Sequence, residues 1–176
     1  PLLIEAAMAF GTGHHGTTLG CLRALDRLAN EGFVGKSVAD IGCGTAVLAM
    51  GAARIWTGDV IASDIDEVAV DVARVNVSAN KLEGRVRCVE AAGFDNPELS
   101  AAGPFDLIFA NILKGPLIML APEMCANLER DGYLILSGLL NEQADEIIDV
   151  YARSGANLVH HEVIGEWSSL TLRKDG

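Results

Sequence analysis

The sequence predicts an α/β fold: a doubly wound, Rossmann-like sheet, mostly parallel, finished by an antiparallel C-terminal hairpin. Three observations predict it. Short apolar, β-branched runs alternate with stretches of helical period, and such alternation requires crossovers that lay strands parallel and cover both faces of the sheet. The first strong run, Ser37–Ile41, ends in the glycine turn Gly42-Cys43-Gly44. The last two runs are separated by a turn too short to hold a helix, so they must pair antiparallel.

Each element has a local reason. Leu22, Leu25 and Leu28 share one helical face, with Thr17 or Thr18 available as the cap. Ser37–Ile41 reads as a buried strand, and Val47, Leu48, Ala52 and Ile55 then follow at helical spacing. Asp59–Asp64 is the second strand. Asp66 can cap the next helix, on which Val68, Val72, Val75 and Ala79 are expected to form the buried face. Arg85–Val89 and Phe105–Ala110 are the third and fourth strands. Residues 117–128 look helical, with Pro122 near the first turn or at a kink. Gly132–Ser137 is the fifth strand, and Asn141 offers a cap for a helix carrying Ala144, Ile147, Ile148 and Tyr151 on one face. Asn157–Ile164 and Ser168–Leu172 form the hairpin around residues 165–167.

Composition narrows the function. A chain of 176 residues, half apolar and 21% charged, is one ordinary domain that buries roughly 70% of its unfolded surface. With 24 acidic against 13 basic side chains the net charge is −11. That excludes the basic stripe of a nucleic-acid binder, so no direct nucleic-acid contact is expected. A basic protein or a small cation suits the field better. Cys21, Cys43, Cys88 and Cys125 are scattered without a CxxC pair, so no metal site is expected and reduced thiols in the cytoplasm are. The most apolar stretch, Leu107–Pro122, is broken by Asn111, Lys114 and Pro116, too short a run to span a membrane. The first residues lack the basic start of a secretion signal.

Ligands of doubly wound sheets bind at the carboxyl ends of the strands, near the switch in strand order. Asp40-Ile41-Gly42-Cys43-Gly44-Thr45-Ala46 lies at the first such end, where glycine permits close ligand approach. Asp64 ends the following strand, where an acid accepts hydrogen bonds from ribose hydroxyls. A dinucleotide fingerprint would carry a third glycine where this chain has Val47. Asp40 can attract a cationic amine, which a pyrophosphate lacks. S-adenosylmethionine has an ammonium group, a sulfonium and a ribose but no phosphate, and fits this acidic entrance. The alternative for Asp40 is a strand-end acid satisfied by neighbouring backbone amides.

Asp40-Ile41-Gly42-Cys43-Gly44 followed by Asp64-Ile65-Asp66 resembles the Rossmann-like S-adenosylmethionine-dependent methyltransferases. Three further segments narrow the resemblance: Ala9-Phe10-Gly11-Thr12-Gly13-His14-His15-Gly16-Thr17-Thr18, Ala110-Asn111-Ile112-Leu113-Lys114-Gly115-Pro116-Leu117, and Leu136-Ser137-Gly138-Leu139-Leu140. In this order the chain is similar to the bacterial ribosomal protein L-eleven methyltransferases over nearly its whole length. The resemblance implies cofactor contacts at Thr18, Gly42, Asp64 and Asn111, with Asp40 and Gly44 from the wider superfamily motif and Phe10 close to the cofactor. The chain departs from the family at His14-His15-Gly16, where many members have Thr-His-Pro. It departs again at Ala46, a glycine in the superfamily pattern, whose methyl group is expected to narrow the methionine space. The family also has a small N-terminal domain that recruits the ribosomal protein, so residues 1–176 correspond to the catalytic domain without it.

The implied reaction is in-line displacement of the sulfonium methyl group by a neutral amine: lysine side chains and an N-terminal amino group of a basic ribosomal protein. A lysine of pKa about 10.4 must lose its proton first, at a cost of about 4.6 kcal/mol at pH 7. A nearby sulfonium and an apolar pocket both favour the neutral amine, so no strong general base is required. Asn111 closes the fourth strand, and its carbonyl can accept amine hydrogens and aim the lone pair; it is the expected catalytic residue. Its alternative is an ordinary strand-end turn residue. His14 and His15 read as pocket loop residues rather than ligands, and Trp56 and Trp167 as packing residues. The other readings are a same-fold methyltransferase of another protein or a small amine, a nicotinamide-dependent oxidoreductase, and a non-catalytic cofactor-binding module.

Overall fold

The computed structural model describes residues 15–176. In chain order the elements are α1 (His15–Asn30), β1 (Ser37–Ile41), α2 (Val47–Ile55), β2 (Asp59–Asp64), α3 (Glu67–Ala79), β3 (Val86–Glu90) and α4 (Pro97–Ala102). There follow β4 (Phe105–Asn111), α5 (Lys114–Ala126), β5 (Leu128–Leu140), a 3₁₀ turn (Asn141–Gln143), α6 (Ala144–Arg153), β6 (Ala156–Ile164) and β7 (Trp167–Lys174). The seven strands form one sheet in the order β3-β2-β1-β4-β5-β7-β6. β1 pairs in parallel with both β2 and β4, while β7 runs antiparallel between β5 and β6. The predicted α/β class, parallel sheet and C-terminal hairpin are all present.

Pleating divides the core between two faces. Val38, Leu107 and Phe109 face α1, α2 and α3, where they meet Leu25, Leu28, Met50 and Val77. Ala39, Ile41, Ile61 and Ile108 face the other way, onto Leu99, Leu117, Met124 and Tyr151 of α4, α5 and α6. Both faces of the central strands are therefore dry, which is why β1 and β4 read as continuous apolar runs.

Several local expectations change. α3 buries Val70, Ala73 and Val77, whereas Val68 and Val75 are exposed. The helix carries two valine stripes, and the one with fully buried Ala73 lies against the sheet. Asn76 on its flank donates to the Thr45 carbonyl at 3.1 Å, which holds that rotation. Asp66 does cap α3, accepting from the Val68 amide at 3.0 Å. α5 starts at Lys114, so Pro122 lies in its interior rather than near its first turn. Lacking an N–H, Pro122 leaves the Ile118 carbonyl without its helical donor. Thr17 and Thr18 lie inside α1 rather than at its cap. Asn141 does not cap α6; its Nδ2 donates to the Gly165 carbonyl and its Oδ1 accepts from Ser168, pinning the β6–β7 turn to the end of β5. Ile55, at the end of α2, is 45% exposed.

β5 extends well beyond the predicted six residues and is irregular between Leu136 and Leu139. Gly138 occupies that bulge at φ +84°. The bulge ends regular pairing beside the last residue of β4, where Asn111 faces Ser137.

Candidate functional site

The strand order reverses between β1 and β4, so the loops after them splay apart there and open a crevice. Two cavities lie side by side along this rim. The first, about 250 Å³, is lined by Thr17, Thr18, Asp40, Gly42, Gly44 and Asn111 among others. The second, about 380 Å³, is lined by Asp64, Ile65, Ala91, Gly93, Pro116 and Leu120. Gly42, Ile112 and Leu113 belong to both. Together the cavities match the size of a small-molecule site, and one elongated ligand can span them.

The loop after β1 is built around left-handed residues. Gly42 has φ +69° and Gly44 φ +52°. A Cβ on Gly42 would stand 2.4 Å from Ile112 Cγ2, so only glycine fits there. A Cβ on Gly44 would meet no protein atom within 4 Å, so its open side is space a ligand can take. Ala46, at the N-cap of α2, is also left-handed, at φ 64°. It is fully buried in the core and is not among the lining residues of either cavity. Its methyl group therefore does not narrow the site; it packs beneath the loop.

The two acids sit at different depths. Asp40 is 1% exposed, and its Oδ2 accepts from the Ala49 amide at 3.0 Å. Ala46 provides no side-chain cap, so Asp40 satisfies an unpaired amide of the first turn of α2 from below. Burial pushes the Asp40 carboxyl up to about 8, with the Ala49 amide opposing and the Asp64 charge adding. Asp40 is thus satisfied by a backbone amide, as the alternative reading has it, and it also lines the first cavity. Asp64 is half-buried, its Oδ2 accepting from the Gly44 amide and its Oδ1 from the Asp66 amide, each at 3.0 Å. Each carboxylate oxygen has a lone pair left for a ligand hydroxyl.

Asn111 is the last residue of β4 and lines the first cavity. Among the described residues its side-chain amide makes no hydrogen bond. Thr18 reaches the same cavity from the first turns of α1. Gly20 lets α1 lie directly on β7, since a Cβ there would fall 1.9 Å from Ser169 Oγ. The buried Ser137 hydroxyl donates to the Thr17 carbonyl at 3.2 Å and fixes the start of the helix. Burial raises the Cys43 and Cys21 thiols well above their usual range, so neither is a thiolate nucleophile at neutral pH.

The structure thus brings Thr18, Asp40, Gly42, Gly44 and Asn111 around one cavity and places Asp64 on the adjoining one. Phe10 and His14 lie outside the described residues. Trp56 packs edge-on to Phe33 at 5.5 Å, as a core residue does. Among the described residues no group of His, Cys, Asp or Glu is arranged to hold a metal ion. The sequence reading missed the apolar second cavity. Its signal was faint: Ile65, an apolar residue 71% exposed directly after a strand-end acid, and Ala91 and Gly93 after β3. The residues fit S-adenosylmethionine on their own chemistry, with a buried acid that a facing ammonium group would ionise, a second acid with lone pairs for hydroxyls and an apolar slot for a base.

Comparison with known proteins follows the same line. A family model described as ribosomal protein L11 methyltransferase matches residues 2–175. A curated protein of that name from Rhodopseudomonas palustris (strain BisB5) is 48% identical over 171 residues, covering 97% of this chain and 58% of the relative. A second, from Bradyrhizobium diazoefficiens, is 48% identical over 173 residues, covering 98% and 58%. The chain therefore spans about three fifths of the length of these relatives. The crystal structure of a ribosomal protein L11 methylase from Lactobacillus delbrueckii subsp. bulgaricus superposes with a TM-score of 0.83 at 27% identity, covering 93% of this chain and 81% of that one.

Proposed function

This chain belongs to the ribosomal protein L11 methyltransferase family, and from that premise we propose that it is the cofactor-binding and methyl-transferring part of an amine N-methyltransferase. Its cofactor is S-adenosylmethionine, and its acceptors are lysine side chains and an N-terminal amino group of a basic ribosomal protein. The single observation that carries this reading is the pair of acids on adjoining cavities. Asp40 is buried beside the first cavity, and Asp64 borders the second, more apolar one.

When bound, the cofactor supplies a methyl group already activated on a sulfonium; the chain's own residues bind, orient and dry the site. Asp40 faces the ammonium group, and Asp64 accepts from the ribose hydroxyls. Ile65, Ala91, Pro116 and Leu120 cover the base. Asn111 accepts hydrogens of the incoming amine through its side-chain carbonyl, which leaves the nitrogen lone pair directed at the reacting carbon. Such positioning contributes several kcal/mol. No residue has to remove a proton from a neutral amine before attack, and the proton lost afterwards passes to solvent.

The rim suits a basic partner. The loops after β2, β5 and β6 present Asp66, Glu67, Glu142 and Glu166, all exposed. Lys114 at the start of α5 is held by Glu146 at 2.6 Å. Other cations are committed within the fold, such as Arg85 to the carbonyls of Ala53, Trp56 and Gly58, and Lys174 to those of Cys125 and Leu128. That distribution favours a cationic protein over a phosphate backbone. No described helix is long and apolar enough to cross a membrane, in keeping with the cytoplasmic setting proposed for such a substrate.

Radiolabelled methyl transfer from S-adenosylmethionine to ribosomal protein L11 tests the proposal, with calorimetry against S-adenosylmethionine and NAD in parallel. Transfer to L11 amines is expected. NAD binding without S-adenosylmethionine binding would overturn the cofactor, and labelling of other proteins alone would overturn the substrate.

A further inference from the structure

Residue 112 is held from two sides. Gly138 stands in the β5 bulge, and a Cβ there would lie 2.5 Å from the Ile112 carbonyl oxygen and 3.0 Å from its backbone carbon and nitrogen. Gly42 faces it from the β1 loop, where a Cβ would lie 2.4 Å from Ile112 Cγ2. The backbone of Ile112 therefore rests on one glycine and its side chain on another, each with no room for a methyl group. Ile112 is also a wall common to the two cavities, and the residue before it is Asn111, the last rung of the β4–β5 ladder. The Asn111 side chain leaves the backbone at the last paired residue of β4, directly before Ile112, so its aim follows the backbone that Ile112 seats.

We propose that Ile112 is a positioning residue: seated on Gly138 and Gly42, it divides the first cavity, which holds Asp40 and Asn111, from the second and fixes the turn that aims the Asn111 amide at the incoming amine. The proposal rests on the methyl-transfer reading above. The left-handed conformations of Gly42 and Gly138 alone would demand glycine at those positions without singling out any partner. Contact from both with the same residue, on its side chain and its backbone, is what points to Ile112. An amide displaced by about 1 Å still lies beside bound cofactor but no longer directs the nucleophile, and such misplacement costs on the order of a hundredfold in rate. The signature is thus a loss in turnover that outruns any loss in cofactor affinity.

The test compares Ile112→Ala with Ile112→Val, measuring the cofactor Kd by calorimetry and kcat for methyl transfer to ribosomal protein L11. Ile112→Ala should lower kcat at least tenfold more than it weakens cofactor binding. Ile112→Val keeps Cγ2 and should retain wild-type kcat within threefold. Gly42→Ala should weaken cofactor binding, and adding Ile112→Ala should recover part of that loss, because the methyl group at residue 42 then meets no Cγ2. Equal losses of kcat and affinity in Ile112→Ala overturn the proposal, as do strictly additive effects in the double variant. If Gly42→Ala does not fold, the two Ile112 variants decide alone. A wild-type chain that binds no S-adenosylmethionine overturns the methyl-transfer reading and this inference with it. A wild type that binds and transfers beside an unimpaired Ile112→Ala overturns only the inference.

Discussion

The ends of β1 and β2 carry the same side chain in opposite surroundings. Asp40 is the penultimate residue of β1, level with Ala62 of its neighbour, whereas Asp64 is the last residue of β2, two residues nearer the rim. Two residues of strand are about 6.6 Å. That distance puts Asp40 beneath the first turn of α2, buried with one amide donor, and leaves Asp64 half-buried with two. One acid becomes a high-pKa group that a facing cation would ionise. The other becomes a brace that holds Gly44 and Asp66 in place while it keeps lone pairs for a ligand. Depth along the strand, rather than residue type, divides the work.

The largest expected effect breaks the brace. Asp64→Ala should weaken S-adenosylmethionine binding at least tenfold, about 1.4 kcal/mol. It should also cost about 1–3 kcal/mol of stability by stripping the Gly44 and Asp66 amides of their acceptor. Calorimetry and thermal melting read the two losses separately, and unchanged affinity would remove Asp64 from the binding site.

Asp40→Asn sharpens the contrast through pH. The folded carboxyl sits at about 8, above its ordinary value of 3.8. Between those values the native state holds a proton that the unfolded chain has lost, so this group makes stability fall as pH rises through that window. Asparagine keeps an acceptor for the Ala49 amide and removes the dependence. Urea titrations of the two proteins should coincide near pH 4 and separate toward pH 8, with the variant the more stable. Cofactor affinity at pH 8 should fall several-fold, because the negative charge facing the ammonium group is gone. Parallel pH profiles would mean that Asp40 is ionised throughout.

The smallest effect is expected at Ala46→Gly. Relief of a left-handed alanine gains about 1 kcal/mol, and the extra freedom of glycine in the unfolded chain offsets about as much. Stability should move by less than about 1 kcal/mol and cofactor affinity by less than twofold. A tenfold gain in affinity would place the Ala46 methyl group in the site after all.

Much of this arrangement was legible in the sequence. The strand ends at Ile41, Asp64 and Asn111 follow from runs of β-branched and aromatic residues stopped by polar or glycine residues, and they set the positions of Asp40, Asp64 and Asn111. Asp66 was legible as a cap because an N-cap needs only its own helix. Asn141 and Thr17 were misread for the converse reason. Each can serve a helix end locally, but Asn141 finds its partners at Gly165 and Ser168, and Thr17 falls inside a helix that already begins at His15. The buried stripe of α3 was misread because two valine stripes satisfy the same helical period, and only contact with the sheet and with Thr45 chooses between them.

The sequence by itself determined the α/β class, the strand ends, the glycine turn and the identities of Asp40, Asp64 and Asn111, because period, turn chemistry and strand termination are written within a few neighbouring residues. Only the tertiary structure decided how deep each acid lies, that an apolar cavity opens between β2, β3 and α5, and that glycines from two distant loops seat Ile112. Those features depend on register between strands and on what meets across the sheet, and residues that meet there are separated by long stretches of chain.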